Sequence, residues 1–300
     1  ADKPAFRESI GDGVDLAMYL ACAENGQTFR GLAGGRGVGT FGGSEDHTSI
    51  LNARRGCLSV YRFAPTVWKA DIAWPEGWAL AVCFSGVRAE KTREALEKYN
   101  HLSARARAVV EAWNQATGGS CATVRDVADE AVRRAPPAAE DPLPAATTLL
   151  AASSRFPEER WDLPGRLRQF WVEDRMHIPG AVSALAAEEA PRFGAIATQS
   201  SADSARYLRN IAEEIAFLTE SARELGAWGA SGFGAGFGGS AYAVVPATGA
   251  DAFVAKWKDA YAARYPQRLD EAWFLVTRPS GGLTELSRDR PGRWVDAIWP

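Results

Sequence analysis

The stretch GAWGASGFGAGFGGSAYAVVP, Gly226 to Pro246, sets the reading of this chain. Seven of its first fourteen residues are glycine, and it runs directly into the apolar segment Tyr242 to Val245. Glycine gives up more backbone freedom on folding than any other residue, so such a density implies that bare backbone is needed here. Linkers mix glycine with serine and polar residues, whereas this stretch carries Trp228, Phe233 and Phe237. No spacing gives G-x-G-x-x-G opening a helix, and no Gly-Lys-Ser/Thr occurs. The expected order is also different: the periodic stretch Ser204 to Leu225 reads as a helix, and the glycines lead from it into a strand. That order fits a wall of backbone N–H groups facing an anion, with tight packing as the competing explanation.

Composition narrows the function classes. The chain has 300 residues, a formal net charge of −3 and no lysine or arginine block, so neither nucleic acid nor an acidic membrane surface is an expected partner. No apolar run approaches bilayer length and the N-terminus lacks a signal-peptide pattern, which predicts a cytoplasmic protein. Cys22, Cys57, Cys83 and Cys121 are scattered, predicting free thiols. With three histidines no histidine-built metal site is expected; any metal would be magnesium held by oxygen ligands. Eleven tryptophans could stack on sugar rings, but each is first a core candidate.

From the N-terminus, Ile10 to Cys22 has helical spacing and Asn25-Gly26 ends it. Glycines return in GLAGGRGVGTFGG, Gly31 to Gly43, followed by Ser44-Glu45-Asp46-His47 and a helical run. This places Asp46 at a helix N-terminus, where dipole and free N–H groups favour a carboxylate. Capping by Ser44 and Asp46 explains the pattern as well as catalysis does. Leu58 to Phe63 and Ala79 to Ser85 read as strands with Pro65 and Pro75 as breakers between them. Helices over Ala89 to Lys98 and His101 to Ala116 flank Tyr99-Asn100. The proline-rich Ala135 to Ala146 is expected as a surface loop. Leu163 to Glu188 is expected helical with a break at Pro179-Gly180. In Ser204 to Leu225, Leu208, Ile211, Ile215, Leu218, Ala222 and Leu225 share one stripe, and Gly226 can close the helix. Asp251 to Arg264 aligns Phe253, Trp257 and Tyr261, and Ala272 to Thr277 is a last strand.

Phe233-Gly-Ala-Gly-Phe-Gly-Gly-Ser240 resembles the third motif of the GHMP small-molecule kinases in its galactokinase form, T-G-A-G-F-G-G, with Phe233 in place of threonine. Gly43-Ser44-Glu45-Asp46-His47 resembles the galactokinase segment G-[IG]-M-D-Q, with Glu45 and His47 departing from it. The resemblance runs from about Ile10 to Leu283. It implies an α+β chain: a remnant of a ribosomal-protein-S5-like N-terminal domain, residues 1–76, plus a ferredoxin-like GHMP kinase C-terminal domain, residues 77–300. It implies an ATP-dependent sugar 1-kinase, with galactose the leading substrate and ATP and Mg2+ as cofactors. Carried over, Asp46 is the base and Gly43 and Tyr99 contact the sugar. Glu45 and His47 tune selectivity, and Gly234, Ala235 and Gly236 form the loop near sugar and transferred phosphate.

The family's first motif, G-R-[VI]-N-L-I-G-E-H-x-D-Y, and its phosphate loop, P-x-x-x-G-L-S-S-S-A, do not occur in this sequence. The expectation is therefore a truncated or excised portion without kinase activity alone. The alternatives are a sugar sensor on the same scaffold or one half of a split enzyme.

Overall fold

A computed structural model describes residues 4–39, 41–87, 93–137, 139–234 and 236–283. The chain forms two compact units, residues 1–75 with 278–300, and residues 76–277. Both mix helices with antiparallel strands, the α+β class expected. Among the described residues, no helix is long and apolar enough to cross a membrane.

The first unit contains α1 (Pro4–Ser9), α2 (Gly13–Asn25), α3 (Glu45–Asn52), β1 (Cys57–Arg62) and β2 (Val67–Ala73). Asp12 caps α2 by accepting the Asp15 N–H, and Gly26, at φ 72°, closes it in the left-handed region. Arg30 grips the Asp15 carboxylate with both terminal nitrogens, at 2.8 and 2.6 Å. The hydrogen bond from Arg30 is the largest influence on Asp15 and holds its carboxyl below the ordinary value. Asn52 Nδ2 donates to Gly13 O at 3.0 Å, tying α3 to α2. Strands β1 and β2 form an antiparallel hairpin from Cys57↔Ala73 to Arg62↔Val67. The breakers Pro65 and Pro75 predict no strand between them, yet β2 lies there. VWKADIA contains no proline, and both prolines stand outside the paired residues, where no ladder N–H is required. After Thr277 the chain returns to this unit: Gly56 N–H donates to Pro279 O at 2.9 Å and Gly282 N–H to Ala53 O at 2.6 Å. Residues 77–300 are thus not one contiguous compact unit.

The second unit is built on a sheet of β3 (Trp78–Phe84), β4 (Gly229–Gly232), β5 (Ser240–Pro246) and β6 (Trp273–Thr277), in the order β4-β5-β3-β6, all antiparallel. Its intervening helices are α4 (Arg93–Thr117), α5 (Val124–Arg134), α6 (Pro144–Ala151), α7 (Glu158–Trp161), α8 (Leu163–Val172), α9 (Ile178–Ala186), α10 (Ala190–Asp203), α11 (Glu213–Glu224) and α12 (Ala250–Arg264). Alanines on the strands, Ala79, Ala81, Ala230, Ala241 and Ala243, are buried against large residues of α11 and α12, including Leu218, Trp257 and Tyr261. Small-against-large packing fills the layer, and the two polar tips find acceptors. Trp257 Nε1 donates to Leu218 O at 3.0 Å, and Tyr261 Oη to Ser85 O at 2.6 Å. A second core gathers Val109, Trp113, Val127, Leu143, Leu150, Leu163 and Leu167 from α4, α5, α6 and α8 and the ends that flank them.

Several helices differ from expectation. α4 runs unbroken through Tyr99-Asn100, because neither residue removes a backbone donor or forces a turn. The proline-rich loop is shorter than expected: Pro144 opens α6 at a first-turn position where its missing N–H costs nothing. The disturbance expected at Pro179 falls one turn earlier, as the π turn Glu173–His177. The long helix expected over Ser204 to Leu225 is two pieces. Ser204–Leu208 is a π turn continuing α10, Arg209 turns left-handed at φ 54°, and α11 starts at Glu213. Ile215, Leu218 and Ala222 are buried as the stripe predicts, while Leu225 is exposed.

Candidate functional site

In the first unit, Ser44 occupies the position before α3 but does not cap it. Its hydroxyl is buried and shares a 2.8 Å hydrogen bond with Thr66 Oγ1. Asp46 stands in the first turn of α3 and is exposed. Ser49 Oγ donates to its backbone oxygen at 3.0 Å, and its carboxylate takes no hydrogen bond or ion pair among the described residues. Capping therefore does not account for Asp46. The first turn of a helix is a favourable place for a carboxylate, and this one is open to solvent. His47 is committed elsewhere: its Nε2 meets Glu24 Oε2 at 3.0 Å and joins α3 to α2. Glu45 is exposed. Gly43 has a packing reason of its own, since a Cβ there would lie 2.6 Å from Cε2 of Phe63.

In the second unit the glycine-rich stretch is a hairpin rather than one continuous wall. Gly229–Gly232 is strand β4, paired with β5 from Gly229↔Val244 to Gly232↔Ala241. A Cβ on Gly229 would stand 1.8 Å from Gly194 O, so α10 and β4 touch backbone to backbone. Thr198 Oγ1 accepts the Ala230 N–H at 3.2 Å in the same contact. These glycines serve packing.

The turn of the hairpin differs. Gly234, Gly236, Phe237, Gly238 and Gly239 all have positive φ. Its base is fixed to the end of β3: Ser85 N–H and Oγ both donate to Gly239 O, at 3.0 and 2.8 Å, and Gly239 N–H donates to Val87 O at 2.8 Å. Its middle rests on Asn210, whose backbone oxygen accepts the Phe237 N–H at 2.5 Å; a Cβ on Gly236 would lie 2.0 Å from that oxygen. Among the described residues, the backbone N–H groups of Gly234, Gly236 and Gly238 take no acceptor. A rigid turn with uncommitted N–H groups is what an anion-facing loop requires. Beneath it lies a cavity of about 30 Å³, room for roughly one water, lined in part by Ser201, Ser204, Asn210 and Ser231. The Phe233 ring lies tilted against Tyr242 with centroids 4.8 Å apart, and burial pushes the Tyr242 phenol up to about 12.

Of the positions singled out in the sequence, Gly43, Glu45, Asp46 and His47 are together at the start of α3, and Gly234 and Gly236 share the hairpin turn. Ala235 lies outside the described residues. Tyr99 is partly buried within α4. Asn210 was missed; no residue pattern announces a carbonyl that supports a loop. Arg209 was missed with it, because a helical stripe crossing that position hides a left-handed residue.

The GHMP kinases C terminal family model matches residues 181–263, which includes the hairpin and Asn210. The galactokinase of Lactococcus lactis, solved in complex with galactose, has a similar fold: TM-score 0.67 at 18% identity, over 94% of this chain and 61% of that one. The chain thus spans about three-fifths of that galactokinase's length. A mevalonate kinase of L. major in complex with R-mevalonate matches more loosely, at TM-score 0.38 and 15% identity, over 75% of this chain and 50% of that one. A search of the curated proteins finds no match.

Proposed function

We propose that this chain, which carries a GHMP kinase C-terminal domain and the fold of a galactokinase, belongs to an ATP-dependent sugar 1-kinase acting on galactose or a related sugar. The observation that carries the reading is the hairpin turn, whose N–H groups at Gly234, Gly236 and Gly238 take no acceptor among the described residues while its base and middle are fixed. Such dipoles need not reorganise when charge develops on a transferred phosphoryl group. In the proposed reaction the anomeric hydroxyl attacks the γ-phosphorus of ATP, the bond to the β–γ bridging oxygen breaks, and the products are a sugar 1-phosphate and ADP. Asp46 is proposed to take the hydroxyl proton, with Gly43 and Tyr99 contacting the sugar and Glu45 and His47 shaping the choice of substrate. Ala235 belongs to the proposed phosphate-facing loop with Gly234 and Gly236.

Magnesium would neutralise charge on the nucleotide phosphates and take most of its oxygens from them. Among the described residues no three His, Cys, Asp or Glu side chains gather to hold a metal, so no step is assigned to a resident ion. The test is calorimetric titration of the chain with galactose and with ATP, together with an ATP-dependent phosphorylation assay. Loss of both bindings, with no turnover, is the outcome expected of a kinase portion that lacks the phosphate loop, and galactose binding without ATP binding would favour a sensor. ATP-dependent phosphorylation of galactose by the chain alone, well above background, would overturn the reading of it as an inactive portion.

A further inference from the structure

Helix α10 and strand β4 are joined by a row of close contacts that stops one step short of the glycine turn. Gly194 lies backbone to backbone on Gly229, and one helical turn on, Thr198 Oγ1 accepts the Ala230 N–H at 3.2 Å. β4 is the edge strand beside β5. Alternate residues of a strand turn their N–H groups to the same side, so Gly232 presents its N–H to α10 as Ala230 does. The Phe233 N–H points the other way and closes the ladder on Ser240 O at 2.9 Å. No side chain or loop carbonyl among the described residues accepts the Gly232 N–H. A strand-edge donor covered by a helix and left without an acceptor is costly.

Two hydroxyls stand next in line on the helix. Ser201 is buried, and Ser204, half-buried, opens the π turn that continues α10. A helix advances about 1.5 Å per residue and a strand about 3.3 Å, so the row of hydroxyls falls out of step with the row of amides after Thr198. Neither serine hydroxyl takes a hydrogen bond among the described residues. The π turn holds Ser204 in place, because Ser204 O accepts the Arg209 N–H at 3.1 Å. Where the two rows part, the cavity of about 30 Å³ beneath the glycine turn opens, and Ser201, Ser204, Ser231 and Gly232 all line it. One shared space thus brings together an N–H that needs an acceptor and two hydroxyls that can donate or accept.

A polar cavity of this size with several hydrogen-bonding neighbours holds a water, whereas apolar cavities stay dry. We propose that the cavity is the binding site of one resident water, which accepts the Gly232 N–H and hydrogen-bonds to Ser201 and Ser204. The lining carries no charged side chain, so it suits a neutral occupant rather than an ion. The water does for Gly232 what the Thr198 hydroxyl does for Ala230, and extends the α10 contact to the strand end from which the glycine turn departs. The inference does not rest on the sugar-kinase reading, since it requires neither sugar nor nucleotide.

The experiment uses the full chain in solution. Magnetic relaxation dispersion of the water oxygen counts long-lived waters, and Ser201→Val, which removes the hydroxyl and adds a methyl to the cavity, should hold one fewer than wild type. In the isotope-labelled wild type, the Gly232 amide proton should cross-relax with a long-lived water. With its neighbour unsupported, the Phe233 amide should exchange with solvent roughly tenfold faster in Ser201→Val. Equal water counts in the two proteins, or a wild-type Gly232 amide without that cross-relaxation, overturns the proposal; the second result decides it even if Ser201→Val does not fold. Unchanged exchange at Phe233 in a folded variant that has lost the water overturns its role in holding the strand end.

Discussion

The chain has two glycine-rich segments, and they use the same residue for different ends. In the first unit, residues 31–43 fold back on the end of α2. A Cβ on Gly34 would lie 2.5 Å from Gly26 O, and one on Gly37 2.6 Å from Gly26 N, so glycine packs on glycine within a short span. Asn25 pins the return through two hydrogen bonds to the Gly42 backbone, at 2.8 and 3.0 Å. In the second unit, Gly229 meets Gly194 of another helix and Gly236 meets Asn210 of another connection. Glycine density therefore reports close backbone approach in both, while only the partner and the free N–H groups tell a local wrap from a platform for a ligand.

The sharpest way to break the comparison is Gly229→Val. Its side chain would collide with the backbone of Gly194, and a loss of about 4 kcal/mol or more is expected in urea unfolding of the second unit. Gly236→Ala combines positive φ with a Cβ 2.0 Å from Asn210 O, and should cost about 3 kcal/mol and disturb the turn. Gly34→Ala, its counterpart in the first unit, should cost about 2 kcal/mol by the same measurement, since the wrap is local and can shift. Gly35→Ala, with nothing within 4 Å of the added methyl, should stay within about 0.5 kcal/mol of wild type. If Gly34 and Gly35 respond alike, close approach is not what the first segment encodes.

A further modest effect concerns pH. Arg30 holds Asp15 below its ordinary value of 3.8, so the folded chain keeps this carboxylate ionised to lower pH than the unfolded chain does. The contribution is complete above the unfolded value and fades as pH falls through the folded one. With Arg30 half exposed, it is worth about 1 kcal/mol or less. Asp15→Asn should flatten the acid limb of the stability profile below about pH 4 and leave the neutral region lower by that amount.

Elements with strong local signals were legible in the sequence. Gly26 ends α2, and the Phe253, Trp257 and Tyr261 spacing puts two fully buried rings on α12. The position of Asp46 at a helix start followed from a glycine loop ending in polar residues. What escaped depends on tertiary partners. β2 exists because β1 pairs with it, and the break at Arg209 runs against an apolar stripe that continues straight across it. Half of the glycine hairpin is strand because Gly194 and β5 are there to receive it, and Gly194 lies outside residues 226–246.

The place of β3 in its sheet has a consequence for synthesis. It lies between β5 and β6, strands encoded more than a hundred residues later, and Tyr261 reaches back to Ser85. Helices α4 to α8 can bury their own core from nearby contacts while β3 still waits with both edges unsatisfied. On the ribosome this long wait makes β3 the element in need of shielding, and delayed closure of its sheet is the step at which nascent chains would be lost to aggregation.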